Sequence, residues 1–378
     1  MHAVFFGHFV LYLLTFEFAD YNMTQKFTYK NFTYELDEKF NHKVTTEPET
    51  KVPEVFYKYY GANENSFSAL QDLKFYCTHP YSFNDSVDSS ELLLDFEDLT
   101  IERFKDFHER TLPVDELKKY DLDKLFEEDK KVNFYKFRNF AYNYFSRNIG
   151  LISLTTMPFN ILMWSHYTNE SGFVLEFETE NLLQDISLQN KDITNYCLRP
   201  VQYVDKLEFI NMFSKQFKTP DIPLLYATTI KRKEWEYEQE WRLSIYKQNM
   251  GIPLSILYPG YSDYKGQNDR FFHYSKNTIQ SISVGKHFFS GRNCEKLIID
   301  NGICVTLFER EDEKFKALDS NFIKFVNHIH NEYNDKLYMS GEYEDGKSLL
   351  RSLGKINLER IDYKTFRIVD LKKIVIKD

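Results

Sequence analysis

The densest group of titratable residues lies in the segment EWEYEQEWRLSIY, residues 234–246. From Glu236 onward the segment is predicted to be a strand, whose side chains alternate between two faces. Glu236, Glu238, Glu240 and Arg242 would then share one face. A row of carboxylates repels itself unless a cation, a substrate or a proton relieves it, and such rows produce the shifted pKa values that acid and base catalysts need. The row is therefore either a catalytic face or a solvated face of an exposed strand.

A second group is the run LMWSHY, in which Trp164, His166 and Tyr167 stand between apolar and turn-forming residues. Histidine changes its charge near neutral pH, so His166 is by residue type the best general acid or base in the chain. The three tryptophans, which include Trp235 and Trp241, all lie in these two segments. Large aromatics beside polar groups are common in small-molecule pockets. A histidine and a tyrosine that are satisfied within the fold are the alternative.

Three further residues extend the candidate site. Asn84 and Asp85 follow a proline in a turn, where Asn and Asp are also ordinary structural residues. Tyr59 lies on an early strand, where packing is the competing explanation. The predicted catalytic set is Glu240, Glu238, His166, Tyr167 and Arg242, and the predicted ligand-binding set is Tyr59, Asn84, Asp85, Trp164 and Lys231.

Several function classes are excluded by missing motifs. The chain has no GxxxxGK[ST] loop, no GxGxxG, no HExxH and no GxSxG, which removes P-loop NTPases, kinases, zincins and α/β-hydrolases. No spacing of His, Cys, Asp or Glu indicates a metal site. The net charge of −9 does not favour binding to nucleic acid, because a polyanion needs a positive surface. A small-molecule or nucleotide ligand is therefore the expected partner.

The elements that must position these residues indicate an α+β fold with a mixed central sheet. Between Ile282 and Phe308 the pattern predicts a strand, a helix and a strand, with the helix over 290–300. The chain is predicted to divide into an N-terminal extension and linker (1–54), a main domain (55–319) with a helical insertion (about 92–146), and a small C-terminal appendage (320–378).

The N-terminal segment and the cysteines indicate the cellular compartment in which the protein is expected. The apolar run His2–Leu14 is shorter than the roughly 20 residues that cross a bilayer, and Met23 opens a more ordinary polar start. Residues 1–22 are therefore interpreted as an over-extended gene start or as a segment docked on the body. The four cysteines are scattered, which is typical of a reducing compartment. A cytoplasmic protein without a membrane segment is expected.

Several segments together carry a family resemblance, which runs from about Phe56 to Phe308. The chain resembles the bacterial domain of unknown function 2971 family, in which an acidic residue follows the Asn-Asp pair, a position that Asp88 can fill. The segments that carry the resemblance are FYKYYG at 56–61, LKFYCTHPYSFNDS at 73–86, ISLTTMPFNILMWSHYTNESGFVLEF at 152–177, KRKEWEYEQEWRL at 231–243 and ISVGK at 282–286.

A fainter likeness concerns the order of the elements. An early aromatic strand, a short helix, a second strand and a late ExE strand are similar to the ADP-ribosyltransferase superfamily. That likeness implies NAD as a substrate, with Glu240, or as second choice Glu238, holding the nicotinamide ribose, and with Tyr59 and Tyr167 stacking near the nicotinamide. The chain departs from the superfamily on the first strand, where Lys58 and Tyr59 stand in place of its His or Arg.

Three hypotheses follow from the sequence. The first is a defence or toxin-type enzyme that acts on NAD or a nucleotide, for instance in phage defence. The second is a metal-dependent hydrolase or nuclease that uses the carboxylate row. The third is a ligand-sensing module of a defence system that binds without turnover. All three require the LMWSHY and EWEYEQEWR segments to meet in space.

Overall fold

A computed structural model describes most of the chain between residues 25 and 374. The described ranges are 25–36, 42–95, 100–111, 114–130, 146–193, 195–212, 214, 221–247, 250–251, 270–290, 292–299, 302–345 and 347–374. The predictions for residues 1–22 and for much of the second half of the helical insertion lie outside these ranges. Among the described residues, no helix is both long enough and apolar enough to cross a bilayer.

Twenty strands make up the β structure of the described residues. In chain order they are β1 Gln25–Tyr29, β2 Phe32–Leu36, β3 His42–Thr46, β4 Val55–Tyr60, β5 Lys74–Tyr76, β6 Leu94–Asp95, β7 Ile149–Thr155, β8 Phe173–Glu178, β9 Asn195–Pro200, β10 Gln202–Val204, β11 Ile210–Asn211, β12 Ile230–Arg232, β13 Glu240–Tyr246, β14 Phe271–His273, β15 Ile279–Val284, β16 Cys294–Ile299, β17 Gly302–Leu307, β18 Leu337–Asp345, β19 Ser348–Arg360 and β20 Thr365–Ile374.

The helices of the described residues are mostly short. They are α1 Glu64–Gln71, α2 Ile101–Thr111, α3 Val114–Leu117, α4 Leu122–Lys130, α5 Ile161–Thr168, α6 Thr179–Gln189, α7 Asp221–Ala227 and α8 Glu313–Tyr333, with 3-10 turns at Pro80–Ser82, Glu91–Leu93, Lys233–Glu238, Lys276–Thr278 and Asn334–Lys336. The short helices α2 to α4 lie in the predicted helical insertion.

An eleven-stranded mixed sheet organises the molecule. Its strand order is β16-β17-β20-β19-β18-β15-β8-β4-β7-β13-β9. Neighbours run antiparallel except β15 and β18, which are parallel. The α+β prediction with a mixed central sheet is confirmed.

The last part of the chain is continuous with this sheet. Residues 320–378 were predicted to form an appendage, but β18 pairs with β15 and leads β19 and β20 into the main sheet. Helix α8 packs its apolar face on α1, where the rings of Phe67 and Phe325 stack with centroids 4.3 Å apart. Both rings belong to the main hydrophobic core, so this part of the chain buries that core and does not stand apart from it.

Two local predictions are corrected. Residues 294–299 form β16 and not a helix, because they pair along their whole length with β17. The predicted linker before residue 55 contains β3, which completes a three-stranded antiparallel sheet with β1 and β2. In both places the partner is the adjacent strand in the sequence: β17 begins three residues after β16 ends, and β2 ends six residues before β3 begins.

Strand β13 connects the core to the candidate site. Trp241, Leu243 and Ile245 point to one face and join the main hydrophobic core. Glu240 and Arg242 alternate with them and lie on the other face, where they are also buried. The sheet therefore holds a carboxylate and a guanidinium rigidly in its interior.

Helix α5 carries the LMWSHY run to the same place. Its first turn is capped by Asn160, whose side-chain oxygen accepts hydrogen bonds from the backbone N–H groups of Leu162 and Met163 at 2.9 and 3.2 Å. It ends at Asn169, which has a left-handed backbone with φ of 50°. Gly172 then allows the chain to pass close to β4, since a side chain there would overlap the Tyr60 carbonyl oxygen.

Candidate functional site

Five buried charged side chains form an ion cluster beside β13. Each is at most 4% exposed, counting the whole residue. Burying a charge is costly unless other charges and hydrogen bonds compensate it, so the contacts within the cluster decide which group is free to react. The members of the ion cluster are Asp88, Lys231, Glu238, Glu240 and Arg242.

Arg242 makes the most extensive contacts of the cluster. Its guanidinium binds both oxygens of Asp88, at 2.8 and 2.6 Å, and both oxygens of Glu240, at 2.9 and 3.2 Å. It also donates to the hydroxyl of Ser89 at 2.9 Å and to the carbonyl of Thr228 at 2.6 Å. Such paired contacts are the strongest that arginine makes with carboxylates. Arg242 thus ties together β13, the loop after residue 85 and the end of α7.

Lys231 is the second cation, and it touches all three carboxylates. Its ammonium lies 2.7 Å from Glu240, 2.8 Å from Glu238 and 3.4 Å from Asp88. Burial alone would lower the pKa of Lys231, but Glu240 and the other two carboxylates outweigh it and raise that pKa. Lys231 therefore stays charged. It was predicted to bind a ligand, and the structure commits it to the cluster.

Arg199 brings a third buried cation to the same face. It lies on β9 directly opposite Arg242, and it is fully buried. One of its nitrogens donates to the Thr228 hydroxyl at 2.5 Å, while Nε and Nη1 have no hydrogen-bond partner among the described residues. Arg199 therefore lies beside the ion cluster and is linked to it through Thr228, whose carbonyl binds Arg242.

The two glutamates of the cluster differ in their electrostatics. Burial alone would raise the pKa of Glu240, but Arg242 and Lys231 prevail and lower it to about 2. At Glu238 burial prevails over Lys231, so its pKa is raised above that of an ordinary glutamate. Two carboxylates whose environments push their pKa values apart are the usual arrangement of an acid–base site.

Tyr167 connects Glu238 to the surface. Its hydroxyl donates a short hydrogen bond to Glu238 Oε1 and accepts one from the exposed Asn84 side chain at 3.3 Å. Burial, followed by the charge of Glu238, raises the pKa of Tyr167, so the phenol keeps its proton. A line of hydrogen bonds thus leads from the buried ion cluster through Glu238 and Tyr167 to solvent.

The surface beside this line is aromatic. The exposed His166 lies with Nδ1 3.3 Å from the Tyr237 hydroxyl, and Trp235 lies 6.1 Å from Tyr237 between ring centroids. Trp235 and Tyr237 are both half-exposed. The expected meeting of the two sequence segments is therefore confirmed, through the Tyr167–Glu238 and His166–Tyr237 contacts.

The predicted continuous strand over 236–246 is wrong in its first part. Residues Lys233–Glu238 form a 3-10 turn, and Gln239 has a left-handed backbone with φ of 41° before β13 begins. Simple alternation therefore fails, and Glu236 points to solvent while Glu238 is buried. Glu238 and Glu240 still meet in the ion cluster because Lys231 contacts both.

Three predicted ligand-binding residues have structural partners. Trp164 is fully buried, and its indole donates to the Pro158 carbonyl at 3.0 Å. Tyr59 packs edge-on against it and donates to the Met157 carbonyl at 2.8 Å. Asp85 is buried in its turn, where it accepts the Trp235 indole N–H at 2.9 Å. The polar groups of all three side chains are hydrogen-bonded within the fold, and Trp164 is closed to solvent while Tyr59 is partly exposed.

The sequence analysis missed two positioning residues. Asn160 caps α5 and also donates to the Tyr237 carbonyl at 2.7 Å, so it holds both halves of the site. An Asn before an apolar run is a helix-start signal that could have identified it. Tyr203 accepts the backbone N–H of Glu240 at 2.8 Å, and no local pattern identifies it.

Two cations already lie among the three carboxylates of the ion cluster. Lys231 and Arg242 occupy the positions next to Asp88, Glu238 and Glu240 where a cation would otherwise sit. Within the described ranges, no group of three or more His, Cys, Asp or Glu side chains is arranged to hold a metal ion.

Comparison with known proteins places both segments within one family match. Residues 163–243 match the family model described as protein of unknown function (DUF2971). The matched segment contains every predicted site residue except Tyr59, Asn84 and Asp85. No curated protein and no solved structure matches the chain significantly.

Proposed function

We propose that this member of the DUF2971 family is an enzyme that acts on NAD or a related nucleotide, with Glu238 and Tyr167 as its proton-transferring pair. The observation that carries the proposal is the hydrogen bond between them. It joins a buried carboxylate of raised pKa to a half-buried phenol at the surface. We place the protein in the bacterial cytoplasm, because its four cysteines are free.

Proton transfer along this pair is chemically simple. A substrate hydroxyl that binds at Tyr167 gives its proton to the phenol oxygen while the phenol's own proton passes to Glu238. The phenol is restored, Glu238 becomes neutral, and the substrate oxygen becomes a nucleophile. A general base works best when its pKa is near the working pH, and burial moves Glu238 in that direction.

Glu240 has a supporting part in this proposal. The likeness to ADP-ribosyltransferases placed it first as the catalytic carboxylate, with Glu238 second. Its two oxygens are bound by Arg242 and Lys231, and its low pKa keeps it ionised. It holds Lys231 in place, and Lys231 in turn holds Glu238. The geometry thus favours Glu238 for the reactive role.

The half-exposed rings of Trp235 and Tyr237 supply the recognition. Planar groups such as a nicotinamide or a purine stack on aromatic side chains. The exposed His166 beside Tyr237 adds a group that donates or accepts hydrogen bonds. These features favour a nucleotide over a flexible aliphatic ligand.

The other two hypotheses make different predictions. In the hydrolase or nuclease hypothesis a divalent ion neutralises the carboxylates, and here Lys231 and Arg242 perform that neutralisation. A ligand-sensing module would bind NAD through the same surface and leave it intact. Measured turnover distinguishes the enzyme from the sensor.

Nicotinamide release from NAD by the purified full-length chain tests the proposal. The wild type is expected to release nicotinamide, and Tyr167→Phe is expected to slow release about a hundredfold because the relay loses its hydroxyl. Glu236→Gln is the matched control, since Glu236 is exposed on the same turn. NAD binding without any turnover would instead identify a sensor. Protection of cells against phage, lost with Tyr167→Phe, would support a defence role.

A further inference from the structure

A polar cleft beside β12 has the features of a second ligand site. We infer that this cleft, of about 570 Å³, binds a ring-bearing phosphate of mononucleotide size. The inference is independent of the proposed catalytic pair. We call the site the β10–β12 cleft; it is lined by Lys30, Asn31, Gln202, Tyr203, Val204, Asp205, Lys206, Glu208, Tyr226, Ile230 and Lys233.

The volume and the walls of the cleft suit such a ligand. Small-molecule sites usually enclose roughly 300–1,000 Å³, and a mononucleotide needs a volume in the lower half of that range. Tyr203 is half-exposed and offers an aromatic wall, whereas Tyr226 is buried and has the Lys30 ammonium 5.6 Å from the centre of its ring. The ring of Tyr226 is held from behind by Tyr29, edge-on with centroids 5.2 Å apart. A rigid aromatic wall offers contact area without ordering a flexible side chain.

The charge of the cleft favours an anion. It has three lysines and two acidic residues, although the chain as a whole carries −9. Lys30 pairs with Glu208 at 2.7 Å and Lys233 with Asp205 at 3.5 Å. Lys206 is exposed and has neither a hydrogen bond nor an ion pair with any other described residue. It is therefore the cation that remains to meet a phosphate.

Gln202 supplies an unsatisfied donor at the same place. Its side-chain Nε2 is buried and has no hydrogen-bond partner within the described ranges. A buried donor without an acceptor costs roughly 1–3 kcal/mol. Gln202 lines the cleft, but its Nε2 is closed to solvent, so a bound phosphate or base oxygen would accept that hydrogen bond only after the amide turns towards the cleft. An amide donor and an uncommitted lysine thus lie in one cleft.

The β10–β12 cleft and the ion cluster both border β12. Ile230 lines the cleft, while the next residue, Lys231, enters the ion cluster. Tyr203 belongs to both regions, since it lines the cleft and its hydroxyl accepts the Glu240 N–H. The cleft is thus a separate site that shares one wall with the candidate catalytic centre.

Isothermal titration of the full-length chain with adenosine 5′-monophosphate tests the inference. We expect saturable binding of one AMP per chain, and weaker binding of adenosine, which lacks the phosphate. Lys206→Glu should weaken AMP binding about tenfold or more, because it replaces a charge-assisted contact by a repulsion. Lys324→Glu is the matched control, since Lys324 is an exposed lysine on α8, a helix outside the cleft lining. Inorganic phosphate is titrated alongside, and competition with AMP shows that both use one site.

Three results would overturn the inference. The first is no saturable heat from AMP or inorganic phosphate with the wild type. The second is equal affinity of Lys206→Glu and Lys324→Glu for AMP. The third is loss of AMP binding in Tyr167→Phe with full binding in Lys206→Glu, which would place the ligand at the catalytic pair. If AMP binds as expected and nicotinamide release fails, the cleft stands and the proposed function falls.

Discussion

The hydroxyl of Tyr167 donates a hydrogen bond to the carboxylate of Glu238, 71 positions further along the chain. Tyr167 lies on α5 and Glu238 ends the 3-10 turn before β13. The bond therefore spans two elements that are otherwise joined through Asn160 and the His166–Tyr237 contact. It gives Glu238 surroundings different from those of Glu240, whose two carboxylate oxygens are bound by Arg242 and Lys231.

The two buried arginines that face each other on β9 and β13, Arg199 and Arg242, are expected to differ sharply in their effect on stability. Arg242→Met removes the principal partner of Asp88 and Glu240 and leaves only Lys231 beside them, and breaking a buried ion pair costs about 3–5 kcal/mol. Arg199→Met removes a guanidinium whose Nε and Nη1 lack partners among the described residues, so its unfolding free energy should stay unchanged or rise. Urea unfolding at neutral pH measures both. Equal destabilisation by the two substitutions would show that Arg199 stabilises the ion cluster as much as Arg242 does.

The stabilisation from Glu240 is expected to disappear in acid. Its pKa is lowered to about 2 in the folded protein, so the folded state favours the ionised form more than the unfolded chain does. That contribution is complete above the pKa of an unfolded glutamate, about 4.3, and is lost as the pH falls towards 2. The difference in unfolding free energy between wild type and Glu240→Gln should therefore shrink between pH 6 and pH 3. A difference that is the same at both pH values would contradict the assignment, and Glu236→Gln should show none at either.

The cap of α5 is expected to matter for function as well as stability. Asn160→Ala and Asn63→Ala each remove an N-cap, of α5 and α1 respectively, and each should cost about 1 kcal/mol. Only Asn160 also donates to the Tyr237 carbonyl, so only its substitution should slow nicotinamide release. Thermal melts and turnover of both variants check this. A similar loss of turnover in Asn63→Ala would show that general destabilisation is the cause.

The sequence predicts which residues belong to the candidate site better than it predicts how the backbone positions them. The shared Trp and titratable residues of LMWSHY and EWEYEQEWR correctly indicate that the two segments meet. The alternation rule fails at Gln239, because glutamine is an uncommon residue for a left-handed backbone and nothing in the segment marks the change. Trp164 has the residue type of a pocket aromatic, and only the fold shows that it is fully buried.

The fold is predictable where the signals are local. The α+β class follows from strand and helix patterns along the chain. The pairing of β15 with β18 joins residues about 55 positions apart, and such long-range pairing leaves no mark in the local sequence. For the same reason residues 320–378 resemble an appendage in sequence. The error at β16 is local, because its partner β17 begins three residues after β16 ends.

The most direct measurement compares Glu238→Gln with Glu240→Gln for nicotinamide release and thermal stability together. Ionised Glu238 is penalised by burial, so Glu238→Gln should melt at the wild-type temperature or above it while turnover falls about a hundredfold or more. Glu240→Gln should melt lower, because Arg242 and Lys231 lose their charged partner. Glu238→Gln is thus expected to lose turnover and keep its stability, and Glu240→Gln is expected to lose stability. Full turnover in Glu238→Gln, or a lost activity in Glu240→Gln without any loss of stability, would contradict this expectation.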